Sequence, residues 1–200
     1  MKRTGVLLAA GRSARMGRPK QLLPWPPKRE NQKPLVAAAF DAIARVCDEM
    51  VVVVGYESDA VVAALSDRKF ESIDAVNGRA EMMDSVRSGL GLPFLRDPSI
   101  TQFLLQPADH PQVRLDTLES LIREAEVSSH CAVMPQFRSR GGHPTLLPRS
   151  VAEAILNSLG HGGLRQFWID HPELCIRIPV DDPGVVFDID TQSDYDFCIQ

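Results

Sequence analysis

The sequence lacks the features that mark several classes of protein. Its four cysteines, Cys47, Cys131, Cys175 and Cys198, are scattered and form no C-x-x-C pair, so a zinc knuckle or a dithiol redox motif is not expected. No apolar run approaches the roughly 18 residues of a membrane helix. The first apolar run, Gly5–Ala10, is too short for the core of a signal peptide. These absences predict a cytoplasmic protein with reduced thiols and no membrane partner.

The composition is that of an ordinary globular protein. The 200 residues are 44% apolar and 24% charged, which favours one domain over residues 1–200 that buries its core without cross-links. The net charge of −4 is too small to indicate a nucleic-acid partner. Residues 1–33, however, hold nine Lys or Arg and one acid, Glu30. This local excess of positive charge indicates a localised anionic ligand.

Short apolar runs alternate with amphipathic stretches along most of the chain. The runs predict strands at Gly5–Ala10, Met50–Val54, Ser72–Val76, Gln102–Leu105, Cys131–Met134, Cys175–Pro179 and Val185–Asp188. Helices are predicted at Leu35–Val46, Asp59–Leu65, Met82–Leu90, Leu115–Glu126, Ser150–Leu159, Gly163–Ile169 and Thr191–Ile199, the last capped by Thr191. This order predicts an α/β protein of three layers, α/β/α, with a mostly parallel Rossmann-like central sheet.

The strongest functional signal is the loop after the first strand, which reads L-A-A-G-R-S-A-R-M-G-R-P-K from Leu8 to Lys20. Small residues let backbone N–H groups approach a phosphate, and the cations neutralise it. The spacing from Gly11 to Gly17 fits neither a Walker A loop nor a G-x-G-x-x-G dinucleotide motif. An ordinary basic strand-to-helix loop is the alternative interpretation.

Extended to Leu23, this segment resembles the L-A-A-G-x-S-x-R-M-G-x-x-K-x-L-L motif of MobA-like nucleotidyltransferases. That family includes the molybdenum cofactor cytidylyl- and guanylyltransferases. The resemblance implies that Arg15 and Lys20 are catalytic residues that bind the β- and γ-phosphates of a nucleoside triphosphate (NTP). The other nucleotide-binding residues that it implies in this loop are Leu8, Ala9, Ala10, Gly11, Arg12, Ser13 and Gly17.

A second similar segment, Asn77–Leu90, corresponds to the part of this superfamily that holds the nucleotide base. The resemblance places Gly78 and the hydroxyl of Ser85 near that base, although Glu81 stands where the family has Gly. Taken alone, the segment is an amphipathic helix with a hydroxyl near its start, and that interpretation stays open.

A third match is Q-P-A-D-H-P, residues 106–111, directly after a predicted strand. The resemblance makes Asp109 a catalytic residue and a Mg²⁺ ligand, which suits a carboxylate at the carboxyl end of a strand. A turn-forming Asp before a proline is the structural alternative. His110 is interpreted as a turn residue, because a lone histidine is not a set of ligands.

Two further turns resemble family motifs that face the acceptor substrate. Arg140–Pro144 is similar to an R-G-H-P turn and implies an acceptor-binding role for His143. Gly160–Arg165 is similar to G-D-x-G-A-R, with His161 in place of Asp, and implies that Arg165 holds an acceptor phosphate. Arg165 could equally well cap a surface helix.

The last match, Phe187–Thr191 with Asp194, resembles the family's D-I-D-T-P-E-D close, with Gln192 and Ser193 in place of Pro-Glu. In a strand Asp188 and Asp190 would share one face, because side chains alternate with period two. Either could then share a Mg²⁺ with Asp109. Asp188 is favoured as the ligand, with Asp190 orienting the start of the last helix.

The resemblance implies Mg²⁺-dependent nucleotidyl transfer from an NTP to a phosphorylated acceptor. Ala9-Ala10 resembles the cytidylyltransferase branch, whereas guanylyltransferases tend to carry L-A-G-G, so CTP is favoured, with molybdopterin as acceptor. A sugar phosphate or another small acceptor stays open. A non-catalytic accessory factor that binds a nucleotide or the cofactor and serves a molybdoenzyme is a further hypothesis. A Rossmann-type oxidoreductase is disfavoured, because its glycine motif is absent.

Overall fold

A computed structural model describes residues 1–26, 30–75, 82–158 and 162–198. The strands are β1 (Lys2–Leu8), β2 (Pro24–Trp25), β3 (Lys33–Pro34), β4 (Glu49–Val54), β5 (Glu71–Asp74), β6 (Ile100–Pro107), β7 (Ala132–Phe137), β8 (Arg140–Gly141), β9 (Thr145–Pro148) and β10 (Cys175–Pro179). The helices are α1 (Leu35–Ala44), α2 (Ser58–Ala63), α3 (Met82–Arg96), α4 (Leu115–Val127), α5 (Arg149–Asn157), α6 (Gly163–Asp170) and α7 (Gln192–Phe197).

The central sheet runs in the order β10-β7-β9-β6-β1-β4-β5, with β8 paired to β7. Strand β1 lies in the middle, parallel to both β4 and β6, and Val6 is opposite Val51 on one side and Leu105 on the other. Strand β9 is antiparallel to its two neighbours. The predicted mostly parallel sheet is therefore confirmed. Because β1, β4 and β6 are parallel, the loops that follow them start at one edge.

Helices cover both faces of this sheet, which confirms the predicted α/β/α layers. Successive side chains of β1 enter different cores because the strand period is two. Val6 packs in a cluster with Val86 of α3 and Ile155 of α5. Leu7 packs in a second cluster with helices α1 and α4. In the described part of the chain no helix combines the length and apolar character needed to cross a membrane.

The predicted strand at Val185–Asp188 is wrong. Pro183–Val186 forms a 3-10 turn, and Phe187–Asp190 is extended without strand pairing. Pro183 has no N–H to donate to a neighbouring strand. Asp182 caps the turn by accepting a hydrogen bond from the backbone N–H of Gly184 at 3.0 Å. The period-two argument for Asp188 and Asp190 therefore does not apply.

The sequence patterns also miss β9, a four-residue strand that runs straight into α5. Its residues Leu146 and Leu147 are both buried, so the run shows no alternation that would distinguish it from the helix after it. The predicted helix at Met82–Leu90 extends to Arg96. The cap of the last helix is confirmed, since Thr191 and Asp194 form a capping box.

Gly89 of α3 sets how closely this helix approaches the sheet. A Cβ on Gly89 would lie 2.5 Å from Val6 Cγ1 and 2.7 Å from Val53 Cγ2. We predict that Gly89→Ala lowers the free energy of unfolding by about 1–3 kcal/mol, because overpacking forces the helix off the sheet. Urea denaturation measures this change.

Gly91→Ala is the matched control in the same helix, since a Cβ there would meet only Leu156 Cδ2 at 3.7 Å. That variant should be neutral or gain up to about 1 kcal/mol from helix propensity. Equal effects at the two glycines would contradict this account of the packing.

Candidate active site

A cavity of about 380 Å³ opens at the carboxyl ends of β1 and β6. The loop after β1 forms one wall, and the turn after β6 and the extended segment before α7 form another. Its lining residues are Leu8, Ala10, Gly11, Arg12, Ser13, Ala14, Arg15, Lys20, Gln21, Met82, Ser85, Pro107, Ala108, Asp109 and Asp190. The cavity therefore combines small residues, cations and carboxylates at the sheet edge where α/β proteins bind ligands.

Lys20 lies at the centre of this cavity. Its Nζ is 2.7 Å from Asp109 Oδ2 and 2.8 Å from Asp190 Oδ1, and only 13% of its side chain is exposed. Burial lowers the pKa of Lys20, but the two carboxylates outweigh burial and raise that pKa above its ordinary value. Lys20 is therefore a fixed ammonium ion.

Arg15 carries a second positive charge at the rim. Its Nη2 donates to Asp190 Oδ2 at 2.7 Å, and 69% of its side chain is exposed. Asp190 thus bonds two cations through its two carboxylate oxygens, and its backbone N–H donates to Asp194 Oδ2 at 3.1 Å at the start of the last helix. Arg15 is free to turn toward a ligand at small energetic cost, because an exposed ion pair is weak.

Asp188, the carboxylate that the sequence favoured for the metal, contacts a histidine beside the cavity. Its Oδ1 is 2.7 Å from Nε2 of His110, and Nδ1 of His110 is 3.1 Å from the carbonyl oxygen of Gly184. Burial lowers the pKa of His110, but the hydrogen bond to Asp188 and the charge of Asp109 outweigh it and raise that pKa. The hydrogen bond from His110 in turn lowers the pKa of Asp188.

His110 was missed as a site residue. It is 1% exposed and joins the turn after β6 to the segment before α7. Its sequence signal is weak, because an Asp-His-Pro turn is typical of an exposed loop. That His110 joins these two segments is evident only from the positions of Gly184 and Asp188 in the fold.

His143 packs its ring against His110, with 5.3 Å between the ring centroids. Its Nδ1 is buried and has no hydrogen-bond partner among the described residues. Burial and the neighbouring His110 lower the pKa of His143 to about 4. At neutral pH His143 is therefore an uncharged ring behind the acidic wall of the cavity.

The structure brings together most of the predicted site residues but not all. Ala9 and Gly17 shape the loop without lining the cavity: Ala9 is buried, and Gly17 adopts a φ of +69°. Ser85 lies 6% exposed in the wall.

Arg165 is exposed on α6, outside the cavity lining. Gly78 lies outside the described residues, as do Glu81 and His161.

The acidic wall suits a divalent cation. Asp109 Oδ1 is buried without a hydrogen-bond partner in the described ranges, while Lys20 takes only Oδ2. Mg²⁺ needs one or two carboxylates, because waters and substrate phosphates supply the other ligands. A full protein cage is therefore not required, and the described residues contain no group of three or more His, Cys, Asp or Glu arranged as one. Asp190 shares the cavity with Asp109, which makes it as suitable a second ligand as Asp188.

Comparison with known protein families agrees with this geometry. Residues 5–174 match the family model described as the MobA-like NTP transferase domain. The chain belongs to this family. It is an enzyme of the nucleotidyltransferase class, and nucleotidyltransferases of this family generally need a divalent metal.

Three similar proteins illustrate the range of this NTP transferase family. Nicotine blue oxidoreductase of Paenarthrobacter nicotinovorans is 28% identical over 199 residues, which cover 94% of this chain and 92% of that protein. A probable molybdenum cofactor guanylyltransferase of Rhodopirellula baltica is 30% identical over 133 residues, or 66% and 60% of the two chains. The crystal structure of a Mycobacterium tuberculosis rv0371c homolog from Mycobacterium sp. strain JC1 has a TM-score of 0.79 at 26% identity, covering 98% and 96%.

The lowered pKa of His143 makes stability depend on pH. Because its folded pKa of about 4 lies below the ordinary 6.5, the unfolded chain takes up a proton between these values that the folded chain does not. This difference in proton uptake therefore lowers the free energy of unfolding as the pH falls. We predict that His143→Gln removes about 2 kcal/mol of the stability loss between pH 6.5 and 4.5, measured by urea denaturation at each pH.

His130→Gln is the control, since His130 is exposed. Its stability curve should follow that of the wild type across this pH range. If the stability curve of His143→Gln also runs parallel to that of the wild type, the conclusion that folding lowers the pKa of His143 is wrong.

Proposed function

We propose that this enzyme transfers CMP from CTP to a phosphorylated acceptor, molybdopterin, and releases pyrophosphate. The observation that carries the proposal is the cavity itself. A loop of small residues and a fixed lysine face two carboxylates across one space at the end of the parallel strands. That combination suits a triphosphate and its metal, because cations and N–H groups bind the phosphates while carboxylates bind the metal.

The transfer requires no nucleophile from the protein. An oxygen of the acceptor phosphate forms a bond to the α-phosphorus of CTP, the bond from that phosphorus to the bridging oxygen breaks, and pyrophosphate leaves with the electron pair. Lys20 and Arg15 bind the β- and γ-phosphates and offset the charge that develops on the leaving group. Backbone N–H groups between Gly11 and Gly17 complete the cradle.

Binding of the triphosphate changes the partners of Lys20. In the structure its ammonium ion neutralises Asp109 and Asp190. When phosphate oxygens draw the ammonium ion away, those two carboxylates need another cation. We infer that Asp109, with Asp190 or Asp188, would hold Mg²⁺, and the metal would supply charge neutralisation at the phosphates.

The preference for CTP rests on the wall formed by Ala10. A Cβ on Gly55 would lie 3.1 Å from Ala10 Cβ, so the neighbouring loop is packed closely against Ala10. The methyl group takes room that a purine would use, which favours a pyrimidine. Ser85, nearly buried in the opposite wall, supplies a hydroxyl near the base.

Molybdopterin is proposed as acceptor because a relative is named a probable molybdenum cofactor guanylyltransferase. His143 and Arg165 are the proposed acceptor-binding residues, and a molybdoenzyme would receive the product. His143 lies beside the carboxylate wall, whereas Arg165 could reach the acceptor only from the surface of α6. A sugar phosphate is the alternative acceptor within the same reaction class.

One observation favours a second candidate function, an oxidoreductase. A relative that matches nearly the whole chain is named nicotine blue oxidoreductase. Hydride transfer would require a nicotinamide or similar cofactor, yet the loop after β1 carries four cations and no G-x-G-x-x-G motif. Oxidation of NADH or NADPH by the purified protein, with nicotine blue as substrate, tests this candidate directly.

Pyrophosphate release tests the proposed reaction. We expect release with CTP and Mg²⁺ only when molybdopterin is present, and much slower release with GTP, ATP or UTP. Release of pyrophosphate with CTP and a sugar phosphate instead would overturn the assignment of molybdopterin as the acceptor. Binding of CTP or molybdopterin without release of pyrophosphate would move the assignment to the non-catalytic accessory factor.

Single substitutions test the roles of Lys20 and Asp109. We predict that Lys20→Ala and Asp109→Ala lower kcat/KM at least about 100-fold, because each removes a charge that acts on the phosphates or the metal. Both proteins should remain folded, as judged by circular dichroism.

Lys33→Ala and Asp41→Ala are the matched controls, since Lys33 Nζ and Asp41 Oδ2 form an ion pair of 2.6 Å outside the cavity. They should keep kcat/KM within about 3-fold of the wild type, because neither side chain lines the cavity. A folded Asp109→Ala protein with full activity would exclude Asp109 as a metal ligand.

A further inference from the structure

Gln21 is the least exposed polar residue of the cavity wall. It follows Lys20 in the 3-10 turn Lys20–Leu22, and it is 3% exposed. A buried amide needs hydrogen-bond partners, because an unsatisfied polar group costs free energy. The partners of Gln21 all belong to the loop after β1.

The amide nitrogen of Gln21 holds two carbonyl groups of that loop. Nε2 donates to the carbonyl oxygen of Gly11 at 2.6 Å and to that of Ala9 at 3.2 Å. In a trans peptide the N–H points opposite to the C=O. The N–H groups of Ala10 and Arg12 therefore point away from Gln21.

The amide oxygen of Gln21 fixes the next residue of the loop. Ser13 Oγ donates to Gln21 Oε1 at 3.1 Å and accepts a hydrogen bond from the backbone N–H of Lys20 at 3.0 Å. Ser13 has a φ of +52°, a conformation that is uncommon for a residue with a side chain. Its hydroxyl group is thus used within the loop, and it ties the loop to the residue that carries the central ammonium ion.

We propose that Gln21 is a positioning residue that holds the loop after β1 in the shape that binds the triphosphate. The side chain acts through Gly11, Ser13 and Lys20. It sets the directions of the loop N–H groups before the nucleotide arrives, so that binding does not have to order the loop. This inference rests on the proposed function, because it assigns Gln21 to the same phosphate site.

Gln21→Met tests the proposal, since methionine has a similar length and forms none of these hydrogen bonds. We expect KM to rise at least about tenfold for whichever of CTP, GTP, ATP and UTP the wild type turns over, with a smaller change in kcat. Hydrogen exchange of the loop amides in the ligand-free protein should also become faster in this variant.

Gln102→Met is the matched control. Gln102 is 5% exposed, and its Oε1 accepts from Arg3 Nε at 3.1 Å and Nη2 at 2.6 Å, outside the cavity. Gln102→Met should lower Tm without changing KM for the nucleotide or the hydrogen exchange of the amides in the loop after β1. If Gln21 had a merely structural role, Gln21→Met would lower Tm and leave both KM and hydrogen exchange in the loop unchanged, as expected for Gln102→Met.

Ser13→Ala keeps the proposal testable if Gln21→Met does not fold. Ser13→Ala should raise KM for the nucleotide, because it removes the hydroxyl that bonds Gln21 Oε1 and the backbone N–H of Lys20. A wild type that turns over an NTP while Gln21→Met and Ser13→Ala keep its KM overturns this inference alone. A wild type that neither binds nor turns over any of the four NTPs overturns the proposed function, and the inference with it.

Discussion

The ammonium ion of Lys20 connects three distant parts of the chain at one point. Its contacts with Asp109 and Asp190 join the loop after β1, the turn after β6 and the segment before α7. Residues 20 and 109 meet because β1 and β6 are parallel neighbours in the middle of the sheet. Without this cation, two carboxylates would face each other in a partly buried space and repel one another.

The same arrangement explains how one site serves both an anionic substrate and a cation. The carboxylates hold Lys20 in place, and in the proposed mechanism the phosphates of the nucleotide compete with them for the ammonium ion. Arg18 adds a link between the same segments, because its Nη2 donates to Gln192 Oε1 at 2.6 Å. Gln192 stands where the family motif has Pro, so this departure from the motif has a structural role in this chain.

Sequence patterns were sufficient for the layers, the mostly parallel sheet and the basic loop that lines the cavity. Local composition encodes these features: β-branched runs such as Met50–Val54 form buried strands, and Thr191 caps a helix through its own hydroxyl. The errors came where tertiary contacts decide. Asp182 and Pro183 form a turn within a segment that was predicted to be a strand, and Asp190 bonds two cations of a loop that lie 170 and 175 residues away.

His110 and Gln21 could not be assigned from the sequence for the same reason. Each is a polar residue whose partners are carbonyl or carboxylate oxygens brought together by the fold. The hydrogen-bond partners of the His110 ring lie more than 70 residues away along the chain, and those of the Gln21 amide nitrogen lie in its own loop but are backbone carbonyl oxygens, which have no side-chain signature. The sequence thus predicted most of the residues that line the cavity, and the structure was needed to find the polar residues that contact them.

A crystal structure of the protein with Mg²⁺ and a non-hydrolysable CTP analogue would show whether Lys20 exchanges its carboxylate partners for phosphates. We expect the β- and γ-phosphates to contact Lys20, Arg15 and the loop from Gly11 to Gly17. We also expect Lys20 Nζ to have moved from the carboxylates to the phosphates and Asp109 to contact the metal. A nucleotide bound elsewhere, or a Lys20 that keeps both carboxylates while the triphosphate is bound, would contradict the proposed mechanism.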